Sequence, residues 1–166
     1  NKLKFFPHIK EAVAFGDKRD RVCAFINIDM GSVGNWAERR GIPYSANTDL
    51  GQKSAVYELV RECVETVNAE LAADAALAES QVHRFLVLHK ELDPDDDELT
   101  RTRKVRRSFV ADKYNVLIDA LYGGRSSQHI ETLVRLEDGR TNMVAADLVI
   151  ADAKTFAPTH AKIAEA

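Results

Sequence analysis

The pattern of apolar residues predicts an α+β fold, a small mixed sheet with helices packed on it. Three observations carry this. A hairpin signal lies near the start, a long 3.6-residue periodicity follows, and a short apolar run comes next without regular βαβ alternation. A chain of 166 residues, 45% hydrophobic and 30% charged, is large enough for one core of this kind.

Residues 11–15 (EAVAF) and 22–29 (VCAFINID) read as two strands joined by the polar turn GDKRDR. Val22, Ala24, Phe25, Ile26 and Ile28 make the second strand apolar on both faces, which places it centrally in its sheet. A helix carrying Val33, Trp36, Ala37 and Arg40 follows, with Gly41 as its C′ residue and Pro43 as a stop. Val56, Val60, Cys63, Val64, Val67 and Leu71 define a second amphipathic helix, with Ser54 as its expected cap. Residues 72–80 are alanine-rich, and 82–90 (VHRFLVLHK) read as a buried strand. From Val105 the pattern is helical again, with Val110, Tyr114, Leu117, Ile118 and Leu121 on one face. Residues 122–127 (YGGRSS) end that helix as a linker. The Asp138-Gly139 pair between two strand-like runs predicts a further hairpin within 125–150, and residues 151–166 are expected to be a frayed, flexible terminus.

Composition narrows the function. A net charge of −3 does not suit a whole-molecule polyanion binder, so any basic role is local. Cys23 and Cys63, both in apolar patterns, fit a reducing, cytoplasmic setting. No apolar run approaches the ~18 residues of a membrane span. The five histidines include no His-x-x-x-His pair; His83 and His89 can share a strand face, but two ligands do not make a zinc site. Gly51-Gln52-Lys53-Ser54 lacks the glycines of a phosphate loop, and the aspartates at 93–97 lack the ligand alternation of a calcium loop.

One stretch stands out. Residues 93–109 read DPDDDELTRTRKVRRSF: five acids, then Arg101, Arg103, Lys104, Arg106 and Arg107, with Thr100 and Thr102 at the junction. A solvated polar loop with few apolar anchors besides Leu99 is expected, anchored by the helix behind it and presenting one lysine. A lysine is a compact point charge on a flexible stem, suited to following charge that moves during a reaction. Both threonines can bond phosphate oxygens or the loop's own backbone. The runner-up reading is a stand-alone module that docks nucleic acid or an acidic partner through residues 101–107, although the adjacent acids would repel a polyanion.

KFFPHIKEAVAFGDKRD, INID…VGNWAERRGIPY, FLVLHKELDPDDDELTRTRKVRRSF and YNVLIDALYGG together resemble the C-terminal domain of long-chain fatty acyl-CoA synthetases, members of the adenylate-forming superfamily. The resemblance runs from Asn1 to Gly124. It implies a small lid domain that follows a larger N-terminal adenylation domain, so the chain, opening on Asn1, is expected to be a piece of a longer protein. It implies ATP and Mg2+ bound mainly by that missing domain, with a long-chain fatty acid and CoA as substrates. It also implies no nucleic-acid partner, and peripheral membrane contact of the full enzyme as an open expectation. ELTRTRK matches the family's last core motif, which implies that Lys104 is the catalytic lysine of acyl-adenylate formation and that Thr100 and Thr102 belong to its nucleotide-facing loop. The lid then rotates for thioester formation. On that side the resemblance suggests Gly16 and Asp17, at the hairpin turn, and the bases Arg101, Arg103, Arg106 and Arg107 as contacts for CoA. Two positions depart from the pattern: Arg103 stands where many members have glycine, and Arg101 where long-chain members often have proline.

Overall fold

β1 (Ile9–Phe15) and β2 (Val22–Ile28) form the expected antiparallel hairpin, with a register shift between Ile9 and Glu11. The computed structural model describes residues 2–136 and 138–158. Asp29 caps α1 (Met30–Arg39) by accepting from the Ser32 amide at 2.9 Å. Gly41 ends that helix region at φ +68°, a left-handed conformation that glycine adopts without cost. A short α2 (Asn47–Gly51) leads into α3 (Ser54–Ala72). Ser54 is not its cap; Lys53 holds the N-cap position without a side-chain bond, and Ser54 is already helical.

β3 (Val82–Val87) pairs with β2 in parallel, so the chain between them must cross over the sheet, and α1–α3 make that crossing. The sequence pattern of separate hairpins and helices did not show this βαβ unit. The helix expected from Val105 onward is two helices, α4 (Arg107–Lys113) and α5 (Asn115–Tyr122), separated at Tyr114. Val110, Tyr114, Leu117, Ile118 and Leu121 are all buried, so the break preserves the apolar face.

β4 (Ser127–Arg135) and β5 (Thr141–Asp152) form the second hairpin. β5 pairs antiparallel with β3, giving the sheet order β1-β2-β3-β5-β4. The frayed terminus therefore does not begin at residue 151. Ala151 and Asp152 pair with Phe85 and Arg84, and beyond them the Phe156 amide donates to Gln81 at 2.7 Å. The rest of that expectation, residues 159–166, lies outside the described residues.

Helices cover both faces. Ala24, Ile26, Phe85 and Val87 pack with α1–α3, while Cys23, Phe25, Leu86 and Leu88 pack with α4, α5 and the second hairpin. Alternation along β2 and β3 thus feeds two cores, the physical reason these strands are apolar on both faces. Each fully buried aliphatic or aromatic side chain contributes about 1.5–3 kcal/mol relative to exposure.

Candidate functional site

The acidic-to-basic stretch leaves the C-terminal end of β3 and returns into α4. It turns through a 3-10 segment at Pro94–Asp96, opened by Asp93, whose carboxylate accepts from the Asp95 amide at 2.8 Å. Asp97 follows at φ +61°. The chain then doubles back on itself, with an antiparallel bridge between Leu99 and Val105. The Thr100 amide donates to Lys104 O at 2.8 Å, and the Arg103 amide donates to Thr100 O at 2.9 Å. Residues 101–103 are the loop of a miniature hairpin. Its last residue, Arg103, sits at φ +63°, the left-handed position that such three-residue loops usually give to glycine.

Both threonines serve the loop itself. Thr100 Oγ1 accepts from the Lys104 amide at 3.0 Å and lies 3.1 Å from Thr102 Oγ1. Lys104 is exposed at the end of this turn, and among the described residues its ammonium has no ion-pair partner. Arg101 and Arg103 are exposed beside it. Arg103 also borders a cavity of about 150 Å³ with Lys10, Asn27 and Leu99.

Arg106 and Arg107 are exposed but also make contacts within the domain. Arg106 donates to Asp97 O at 2.9 Å and lies over the Phe109 ring. Arg107 donates to Ala14 O and lies over Phe15. Both guanidiniums fasten the start of α4, one to the loop and the other to β1. Gly16 and Asp17 lie in the turn after β1, whereas the cavity beside Arg103 borders the beginning of that strand. Arg107, at the start of α4, reaches Ala14 and Phe15 at the end of β1, next to that turn.

The expectation of a loop kept in water by its acids fails at Glu98. That side chain is fully buried. Its carboxylate accepts from Lys90 Nζ, from Lys113 Nζ at 3.0 Å, from the Tyr114 hydroxyl and from the Asp93 amide at 3.1 Å. Asp96 is nearly buried as well, 3.1 Å from Lys90 and accepting from the Arg135 amide at 2.6 Å. Two carboxylates and two ammonium groups balance, and each carboxylate is hydrogen-bonded, the condition under which buried charge is tolerated. Burial, with the adjacent Glu98 carboxylate, pushes the Tyr114 phenol far above its ordinary range, so it stays a donor. A run of like charges concealed this cluster in the sequence. Its one trace was Tyr114 on a core-facing helical position, because a buried tyrosine hydroxyl needs a partner.

His89 is buried and shares a 2.6 Å hydrogen bond with Thr132, while His83 lies half-exposed in β3; the two do not converge. Among the described residues, no group of three His, Cys, Asp or Glu side chains could hold a metal ion.

The profile of the family described as the AMP-binding enzyme C-terminal domain matches residues 2–126. The chain belongs to this family. Its match ends one residue before β4, so the second hairpin of this AMP-binding C-terminal domain lies beyond the matched segment. The long-chain-fatty-acid–CoA ligase FadD15 of Mycobacterium tuberculosis is 31% identical over 123 residues, 74% of this chain and 20% of that protein. A putative fatty-acid–CoA ligase, fadD11, of the same species is 31% identical over 116 residues, covering 70% and 19%. The long-chain-fatty-acid–CoA ligase ACSBG2 of Gallus gallus is 28% identical over 134 residues, covering 70% and 17%. The domain thus spans about a fifth of the length of the curated relatives it matches. In fold it is similar to the A-PCP didomain of carboxylic acid reductase from Segniliparus rugosus, solved in complex with AMP. The TM-score is 0.54 at 13% identity, over 74% of this chain and 15% of that one.

Proposed function

We propose that this chain is the mobile lid of a long-chain fatty acyl-CoA synthetase and that Lys104 is its catalytic lysine. The observation that carries the reading is the Lys104 ammonium, exposed and without an ion-pair partner among the described residues, at the end of a hydrogen-bonded turn in a chain of the AMP-binding C-terminal family. In the first half-reaction a fatty-acid carboxylate oxygen attacks the α-phosphorus of ATP. The bond to the β-phosphate bridging oxygen breaks, and pyrophosphate leaves. Negative charge grows on the phosphoryl oxygens as this happens, and a positioned ammonium stabilises that charge more in the transition state than in the ground state.

The lid then rotates and withdraws Lys104. The CoA thiol, giving up its proton, attacks the acyl carbon; the thioester forms and AMP leaves. Arg101, Arg103, Arg106 and Arg107, all exposed, and the Gly16-Asp17 turn are the candidate contacts for CoA; Arg106 and Arg107 also donate within the domain. On this reading ATP and Mg2+ are held by the preceding adenylation domain. The full enzyme works in the cytoplasm and touches membranes peripherally to collect its lipid substrate.

The test is ATP–pyrophosphate exchange with palmitate. The full-length protein is expected to catalyse it and the 166-residue chain alone is not. Exchange by the chain alone, or none by the full-length protein, would refute the reading.

A further inference from the structure

We infer that Glu98 is the positioning residue for Lys104, an inference that rests on the adenylation role proposed above. Glu98 holds the base of the turn that carries the lysine. Its side chain is fixed from three directions: by Lys90 at the end of β3, by Lys113 and Tyr114 at the end of α4, and by the Asp93 amide in the intervening loop. Its backbone continues the same restraint, since Glu98 O accepts from the Arg106 amide at 2.9 Å. The next pair inward is the Leu99–Val105 bridge, and the next is the Thr100 amide on Lys104 O at 2.8 Å.

A rigid ladder therefore runs from a fully buried carboxylate to the exposed lysine, six residues away in sequence and at the other end of the miniature hairpin. Leu99 is buried and so anchors the same ladder by packing, but it carries no directional bond from its side chain. The Glu98 side chain ties the turn both to Lys90, just beyond β3, and to the end of α4. A solvated loop would leave Lys104 to search for the reacting phosphate. This arrangement fixes the backbone and leaves only the lysine side chain to move, which suits a cation that must meet charge developing at one point.

The test combines kinetics on the full-length protein with hydrogen exchange on the 166-residue chain. Glu98→Gln is expected to lower acyl-adenylate formation about 10- to 100-fold, with thioester formation from preformed acyl-adenylate within about twofold of wild type. In a Lys104→Ala background Glu98→Gln is expected to add no further loss, because it acts through the lysine. Tyr114→Phe removes one bond to the carboxylate and keeps the ring, and should give a smaller loss with the same split. In hydrogen exchange, Glu98→Gln should deprotect the Thr100 and Arg106 amides while α3 amides keep wild-type protection.

Equal losses in both half-reactions, or losses that multiply with Lys104→Ala, would overturn the inference, as would unchanged protection at Thr100 and Arg106. If the wild-type full-length protein forms no acyl-adenylate, the proposed function fails instead. The exchange experiment then still decides whether Glu98 holds the turn.

Discussion

Arg103 shows how much a single backbone angle can say. At φ +63° it occupies a conformation that costs an L-residue roughly 1–2 kcal/mol and that glycine adopts without that cost. Arg103→Gly relieves the strain but gives back about 0.5–1 kcal/mol through the greater freedom of the unfolded chain. The expected outcome is a stability unchanged or raised by up to about 1.5 kcal/mol, read as the urea midpoint of the 166-residue chain. A clear fall in midpoint would mean that the arginine side chain makes a stabilising contact. The departure from the motif was legible in the sequence as a residue type; its consequence was not, because a sign of φ is set by the bridge between Leu99 and Val105. Lys104 was singled out through the motif around it, and the structure shows it exposed at the end of the turn. Glu98 was not, since nothing distinguishes one carboxylate in an acidic run until β3 and α4 close over it.

Among the elements, those with long periodic patterns were readable: the first hairpin, α1, α3 and the apolar face shared by α4 and α5. Their ends and pairings were less so, because the parallel β2–β3 ladder and the β5–β3 ladder depend on contacts distant in sequence. Leu117, fully buried in the α5 core, tests the packing of that shared face. Leu117→Ala is expected to destabilise the chain by about 2–5 kcal/mol, measured by urea unfolding. The docking of the second hairpin has a pH signature. Burial, with Lys90 nearby, pushes the His89 imidazole down to about 4 from its ordinary 6.5. The unfolded state therefore binds more protons than the folded state between these values. This contribution is present above pH 6.5 and is lost as pH falls towards 4, by at most about 1.4 kcal/mol per pH unit. His89→Gln should flatten the stability profile in that window. An unchanged slope would show that the ring titrates normally.

At the scale of the whole molecule, helices pack on both faces of one sheet, and Lys104 is carried on a turn tied to that interior through Glu98. On the proposed function, a lid that delivers a charge and withdraws it by rotation is served by a cation whose backbone is held while its side chain stays free to reach. The central claim is therefore about Lys104 and about timing. Lys104→Ala, placed in the full-length protein and assayed in the two half-reactions separately, tests it most directly. Acyl-adenylate formation should fall about 10²–10³-fold, or roughly 2.7–4 kcal/mol, while thioester formation from preformed acyl-adenylate stays near the wild-type rate and folding is unaffected. Equal slowing of both half-reactions, or a larger defect in Arg103→Ala than in Lys104→Ala, would contradict the account.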